Sequence, residues 1–341
     1  MKISRSQFLV IFIAFYSSTL IYGQGFTSKA NAFIESLSAD QKKELLRPFS
    51  DTQRTNWDFV PREDRTGTRI GYLSPVQLNK FYDLVLATAG DVTLDKIKNV
   101  RKHEAILRGI ENRPIDDKYR DTTKYFIQLF GMNDGDKTWG WKFEGHHICI
   151  NYVIKDEKVF SATPNVHCSN PAVVLKGAQE GFVLLKPERD MAKAFLDGLT
   201  AEQKTKAIIS TETPKEIINY KPRKAVLDNF SGLNFGQLSP AQQTKLKELV
   251  HLYVIRASKF FVKDIEDRIA KAGWDKWSFV WMGSEDVTPG HTHYYRLQSP
   301  EFIIEYDNFQ NNGNHVHSIF RDVKNDFGDA LAEHYDKEHK N

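Results

Sequence analysis

Part of this chain is written twice, and that repetition constrains its fold more than any other feature. Ala32-Phe33-Ile34-Glu35-Ser36-Leu37-Ser38-Ala39-Asp40-Gln41-Lys42 recurs as Ala194-Phe195-Leu196-Asp197-Gly198-Leu199-Thr200-Ala201-Glu202-Gln203-Lys204. Leu73-Ser74-Pro75-Val76-Gln77 recurs as Leu238-Ser239-Pro240-Ala241-Gln242. Phe130-Gly131 answers to Met282-Gly283, and Trp141-Lys142-Phe143-Glu144 to Tyr295-Arg296-Leu297-Gln298. The four matches keep the same order, which short chance matches rarely do, and collinear self-similarity is the mark of repeated structural units. The 341 residues are long enough for two domains or one large one. We therefore expect an α+β protein of two related halves, residues 24–185 and 186–341. Each would be a helical segment followed by an antiparallel β segment, the two packed as a pseudo-twofold unit.

The helical parts carry start signals. Ser38 and Thr200 are suited to cap helices with Asp40-Gln41 and Glu202-Gln203 as reciprocal partners. In Leu73-Ser74-Pro75 and Leu238-Ser239-Pro240 the serine caps and the proline takes the first helical position, where no N–H is needed. Leu246, Leu249, Val250, Tyr253 and Val254 form a core-facing stripe on a helix expected from Pro240 to about Lys263. The β parts alternate with period two. One long strand is expected from Trp139 to Ile154 and another from His293 to Tyr306. Within each the apolar parity switches, from Trp141 and Phe143 to Ile148, Ile150 and Tyr152, and from Tyr295 and Leu297 to Phe302, Ile304 and Tyr306. Bulges at Gly145-His146-His147 and Ser299-Pro300-Glu301 would produce such a switch.

The amino terminus reads as a secretory signal. Lys2 and Arg5 form a basic region, Phe8 to Phe15 an apolar core, and Gly23 a small residue before Gln24. The apolar run is interrupted by Ser17, Ser18 and Thr19, so it is too short for a membrane span. Residues 1–23 are thus expected to be removed, leaving a secreted or periplasmic protein without a membrane anchor. Lys2 and Arg5 are the only charges in that segment, so its loss takes the net charge from +3 to +1. A nearly neutral chain lacks the basic footprint of a nucleic-acid binder, and 40% hydrophobic content is too high for a disordered one.

The histidines point to chemistry. His315 and His317 in Asn314-His315-Val316-His317 project from one face of a strand, which lets two imidazoles reach one metal ion. With His147 they form the candidate metal set, for a divalent transition metal such as zinc or copper. Glu144 is the candidate general base. His146 stands beside the ligand set, Arg321 is a candidate oxyanion or carboxylate partner, and Asp322 is a further candidate catalytic carboxylate. Structural alternatives stand beside each of these: histidines on sheet surfaces are often only hydrogen-bonded, and Arg321, Asp322, Asp326 and Asp329 also suit a salt-bridged cap. His291 and His293 form a second, loop-borne pair. Trp57, Trp139 and Trp141 suit either a ligand wall or the core. Cys149 and Cys168 admit a disulfide, buried thiols or soft metal ligands. No HExxH, Walker, GxGxxG or GxSxG motif is present.

Several longer motifs resemble a known family. They are Trp139-Gly140-Trp141-Lys142-Phe143-Glu144-Gly145-His146-His147, Thr163-Pro164 with Asn170-Pro171-Ala172, Tyr294-Tyr295-Arg296 with Ile304-Glu305-Tyr306-Asp307-Asn308, and Asn314-His315-Val316-His317 with Arg321-Asp322 and Asn325-Asp326-Phe327-Gly328. Together they resemble the bacterial exported domain-of-unknown-function family 3500, over roughly Ala32 to Tyr335. The resemblance implies an exported protein and a site around His146, His147, His315, His317, Arg321 and Asp322, without naming a reaction. Val166-His167-Cys168-Ser169 departs from the pattern, which has an aromatic residue and a glycine before Asn170-Pro171.

These readings favour an exported metal-dependent hydrolase of a small-molecule, glycan or peptide substrate. The rival classes are a ligand-binding protein without turnover and a copper-dependent oxidase.

Overall fold

A computed structural model describes residues 25–331 apart from 136, 221 and 227–231. The expected signal segment lies outside them. The first stretch of chain carries α1 (Phe26–Glu35), α2 (Ala39–Leu45), α3 (Pro75–Thr88) and α4 (Asp91–Ile110). Its strands are β1 (Leu46–Arg47), β2 (Thr68–Arg69), β3 (Phe126–Phe130), β4 (Thr138–Gly145), β5 (Ile148–Lys155), β6 (Lys158–Ser161) and β7 (Asn165–Ser169). There follow α5 (Lys186–Asp197), α6 (Ala201–Ala207), α7 (Pro240–Ala257) and α8 (Val262–Ala272). With them come β8 (Ile208–Ser210), β9 (Leu233–Asn234), β10 (Ser278–Gly283), β11 (His293–Gln298), β12 (Phe302–Asp307) and β13 (Val316–Asp322).

All strands join one mixed sheet of order β1-β3-β4-β5-β7-β13-β12-β11-β10-β8, with β2, β6 and β9 attached beside it. Most pairs are antiparallel; β1 with β3 and β8 with β10 are parallel. The central pair, β7 with β13, joins early chain to late chain.

The capping residues behave as their chemistry demands. Ser38, Ser74, Thr200 and Ser239 each accept from the amide three residues on, and Gln41, Gln77, Gln203 and Gln242 each reach back to close the box. The glutamines then meet in pairs. Gln77 donates to Gln41 Oε1 at 3.0 Å, and Gln242 donates to Gln203 Oε1 at 2.8 Å. The helix expected from Pro240 stops earlier, at Ala257, because Ser258 adopts extended backbone and its Oγ accepts from Phe260 N before α8 begins.

The two expected long strands are hairpins. Gly145 pairs with Ile148 and Phe143 with Ile150, so His146-His147 is a tight two-residue turn. Gln298 pairs with Ile303, and Ser299-Pro300-Glu301 is likewise a connection between β11 and β12. A two-residue turn puts odd residues of one strand opposite even residues of the next, which switches parity as a bulge does.

One sheet face is apolar and covered by helices. There Trp141 stacks on Tyr152 at 4.3 Å, and Tyr295 on Tyr306 at 5.1 Å. Trp139 and Trp141 belong to this core, and neither lines the cavity at the histidines. The opposite face carries Lys142, Glu144, Asn151, Arg296, Glu305, Asp307, His317 and Arg321, all buried. It is covered by irregular chain around residues 57–60 and 217–220, whose Phe59 and Ile217 pack with Cys149, Val166, Cys168 and Ile319 in a small second core. A polar face this well covered must satisfy its charges internally, and that requirement decides several site assignments.

Candidate metal centre

Three adjacent strands bring the histidines together. On the polar face Cys168 of β7 pairs with His317 of β13, and Cys168 N donates to His147 O at 2.8 Å where β5 begins. His147, Cys168 and His317 therefore form a row across the sheet, and His315 shares the parity of His317. His147 sits in the left-handed region, φ 67°, a conformation uncommon for residues with a side chain. It is held there because its N–H donates to Phe59 O at 2.7 Å as its carbonyl accepts from Cys168.

The imidazoles converge through one atom each. His315 Nε2 lies 2.9 Å from His147 Nε2 and 3.0 Å from His317 Nε2, and the three candidate ligand atoms lie within 4.8 Å of one another. His317 Nδ1 is 2.7 Å from Glu216 Oε1. We assign the Nδ1 proton from that contact, which turns Nε2 toward the other two histidines. His315 Nε2 can carry at most one hydrogen and so cannot bond to both neighbours. Burial, reinforced by the neighbouring imidazoles, pushes His147 well below the usual histidine range and His315 down to about 2. With these rings neutral, at most one of the two contacts can be an N–H···N hydrogen bond, so the other leaves two nitrogens together without a shared proton, and a bound cation would convert that contact into ligation. A tetrahedral ion with 2.0–2.1 Å bonds needs N–N edges of about 3.3–3.4 Å, so rotations of a few tenths of an ångström to about an ångström would seat it. The buried cluster of His147, His315 and His317 is thus suited to a metal ion.

The cluster forms part of the wall of a cavity of about 300 Å³ that also touches Phe59, Glu111, Tyr119, Arg120, His146, Asn170 and Asn311. His146 stacks on His147 with centroids 3.6 Å apart, and its Nδ1 lies 2.7 Å from Glu104 Oε2. Burial lowers the His146 pKa, with Glu104 opposing the shift. Arg120 donates to Glu111 through Nε and Nη2 at 2.9 and 2.6 Å, while its Nη1 lies 3.3 Å from His146 Nδ1 and 3.7 Å from Glu104 Oε1. A larger cavity, about 720 Å³, lies between α7 and α8, but its walls are mainly apolar and its His251 is paired with Glu266 at 2.8 Å.

The remaining candidate residues do not join the cavity. Glu144 is buried in ion pairs with Lys142 at 3.0 Å and Arg65 at 3.8 Å. Arg321 shares the face of His317 but lies four residues along the strand, about 13 Å away. Its guanidinium donates to Asp326 at 2.7 Å and to the carbonyls of Asn219, Pro222 and Arg223. Asp322 receives Arg268 and the amides of Lys324 and Asn325. His293 is buried against Trp281, and His291 is exposed beside Asp286. Cys149 and Cys168 are free buried thiols; burial pushes Cys149 up to about 12 and Cys168 well above its ordinary value.

Glu216, Glu104, Glu111 and Arg120 had no sequence signal. Each lies far along the chain from the histidines, and none belongs to a motif of recognisable spacing.

Residues 23–329 match the family described as protein of unknown function, DUF3500. The chain belongs to this family. No curated protein and no solved structure gives a match. No helix among the described residues of this DUF3500 protein is long and apolar enough to cross a membrane.

Asp307, opposite His317 on β12, offers a pH test of this face. Burial raises its pKa to about 8, above the unfolded value of about 3.9. The native state therefore holds a proton that the unfolded chain releases, and stability should fall as pH rises from about 4 through about 8. Denaturant unfolding of chelator-treated protein should show a shallower decline in Asp307→Asn than in wild type; parallel declines would assign the slope to other groups.

Proposed function

We propose that this DUF3500 protein is an exported, metal-dependent hydrolase built from two related halves, 24–185 and 186–341, with its reaction centre beside the β7–β13 junction. The reading of export rests on residues 1–23. The observation that carries the catalytic reading is the convergence of three histidine nitrogens on the wall of a polar cavity. Three protein ligands plus an open position is the arrangement of catalytic rather than structural zinc sites, in which the ion polarises a carbonyl or phosphoryl oxygen and acidifies water. His146, tethered through Nδ1 by Glu104, presents its remaining nitrogen for proton transfer on the same cavity, and so takes the acid–base role that spacing alone suggested for Glu144. Asn170 and Asn311, joined at 3.1 Å, supply amide groups for a small polar substrate. A cavity of about 300 Å³ suits a small molecule, a single sugar unit or one peptide residue at a time.

The test is metal analysis of the purified protein after zinc or copper loading, followed by an ester, phosphate, glycoside and peptide substrate panel. One ion per chain and turnover lost on chelation is the expected result. Absence of stoichiometric metal refutes the reading, metal with no turnover favours a binding protein, and a copper paramagnetic signal with substrate oxidation favours an oxidase.

A further inference from the structure

We infer that Glu216 is the positioning residue of the three-histidine centre, orienting His317 and fixing its tautomer so that Nε2 faces the ion; this rests on the metal-binding reading above. Glu216 belongs to no helix or strand, so its carboxylate can hold a fixed direction only if the surrounding chain is pinned. The structure pins it from both neighbouring strands of the polar face. Glu305 of β12, fully buried, accepts from Ile218 N at 2.5 Å, Asn219 N at 3.1 Å and Asn219 Nδ2 at 2.7 Å. Arg321 of β13, also fully buried, donates to Asn219 O and Pro222 O at 2.8 Å and to Arg223 O at 2.9 Å. Tyr220 donates to Asp58 Oδ1 at 2.7 Å and packs on Phe59, the residue whose carbonyl holds His147 N. One covered loop thus connects to two of the three ligands.

The carboxylate is itself well defined. Oε1 accepts from His317 Nδ1 and from Ile217 N at 2.9 Å, while Oε2 lies 3.4 Å from Gln310 Nε2 at the cavity wall. A carboxylate on the far nitrogen of a ligating histidine fixes the ring and raises its basicity, and removing such a partner commonly weakens metal binding 10–100-fold. Glu216 is not among the residues lining the cavity and contacts the cluster through His317 Nδ1, so it acts through His317.

The experiment measures zinc affinity by chelator competition for wild type, Glu216→Ala and Glu216→Gln, alongside melting of the chelator-treated proteins and the visible absorption of their cobalt forms. The side chain is 28% exposed, so melting without metal should hardly move. Zinc affinity should fall about 10–100-fold in Glu216→Ala with an altered cobalt spectrum, and Glu216→Gln, which keeps an acceptor oxygen, should recover most of it. Should the alanine protein fail to fold, Glu216→Asp, one methylene too short, must show the same loss. Wild-type affinity in the alanine or aspartate protein overturns the inference while leaving the three-histidine centre standing. A wild type that binds no zinc overturns both.

Discussion

Replacing His315 with alanine should abolish specific metal binding and leave the fold intact. His315 is the hub of the cluster, with both short N–N contacts running through its Nε2. Removing it leaves two ligands whose nitrogens have no close partner between them. The loss should exceed the 10–100-fold expected of an outer-sphere partner. Linkage makes the effect visible without an assay of turnover: an ion present at a thousand times its dissociation constant stabilises the native state by about 4 kcal/mol. Zinc titration should raise the melting temperature of wild type and leave that of His315→Ala unmoved. The metal-free variant should be no less stable than metal-free wild type, because His315 lies just before β13 and its loss relieves a crowded nitrogen–nitrogen contact. Equal zinc-induced stabilisation of the two proteins would remove His315 from the site.

Arg321→Ala should be the most destabilising single change on the polar face, costing about 3–5 kcal/mol, as when one partner of a buried ion pair is removed. It would strand Asp326, which is 3% exposed, together with three carbonyls of the 219–223 segment. Burial already raises Asp326 to about 6 despite the opposing pull of Arg321, and without the guanidinium it should rise further. A carboxyl with a folded pKa above its unfolded value of about 3.9 costs stability progressively as pH climbs from about 4 through the folded pKa. The penalty of Arg321→Ala should therefore be smaller at pH 5 than at pH 8 in urea unfolding. An unchanged unfolding midpoint with weakened substrate binding would instead return Arg321 to the role its sequence context suggested.

Arg321 also shows where local pattern stops being informative. Its strand parity is correct, since it shares a face with His317, but parity says nothing of the distance along the strand or of which loop covers that face. Glu144 fails for a related reason. It is two residues from His146, yet its place on the strand directs it at Lys142 and Arg65. Asp322 likewise serves Arg268 and the chain that follows it. In each case a charge on a covered sheet face is consumed by the nearest opposite charge, because leaving it unpaired costs several kcal/mol.

What the sequence determined by itself was what depends on neighbours a few residues away. The four serine and threonine caps, the proline at first helical positions and the period-two alternation are local sterics and local hydrogen bonds, and they appear where the residues placed them. The shared parity of His315 and His317 belongs to the same class. The parity switch at His146-His147 was legible too, but a bulge and a two-residue turn produce the same switch, and only the pairing of Phe143 with Ile150 distinguishes them. The tertiary structure decided what depends on pairing between distant strands. The order β5-β7-β13 brings His147 to His317 across Cys168, and the covering loop delivers Glu216, while α4 delivers Glu104. Such contacts are set by burial of the whole sheet and by the need to satisfy its covered charges, a global balance that no short stretch of residues encodes.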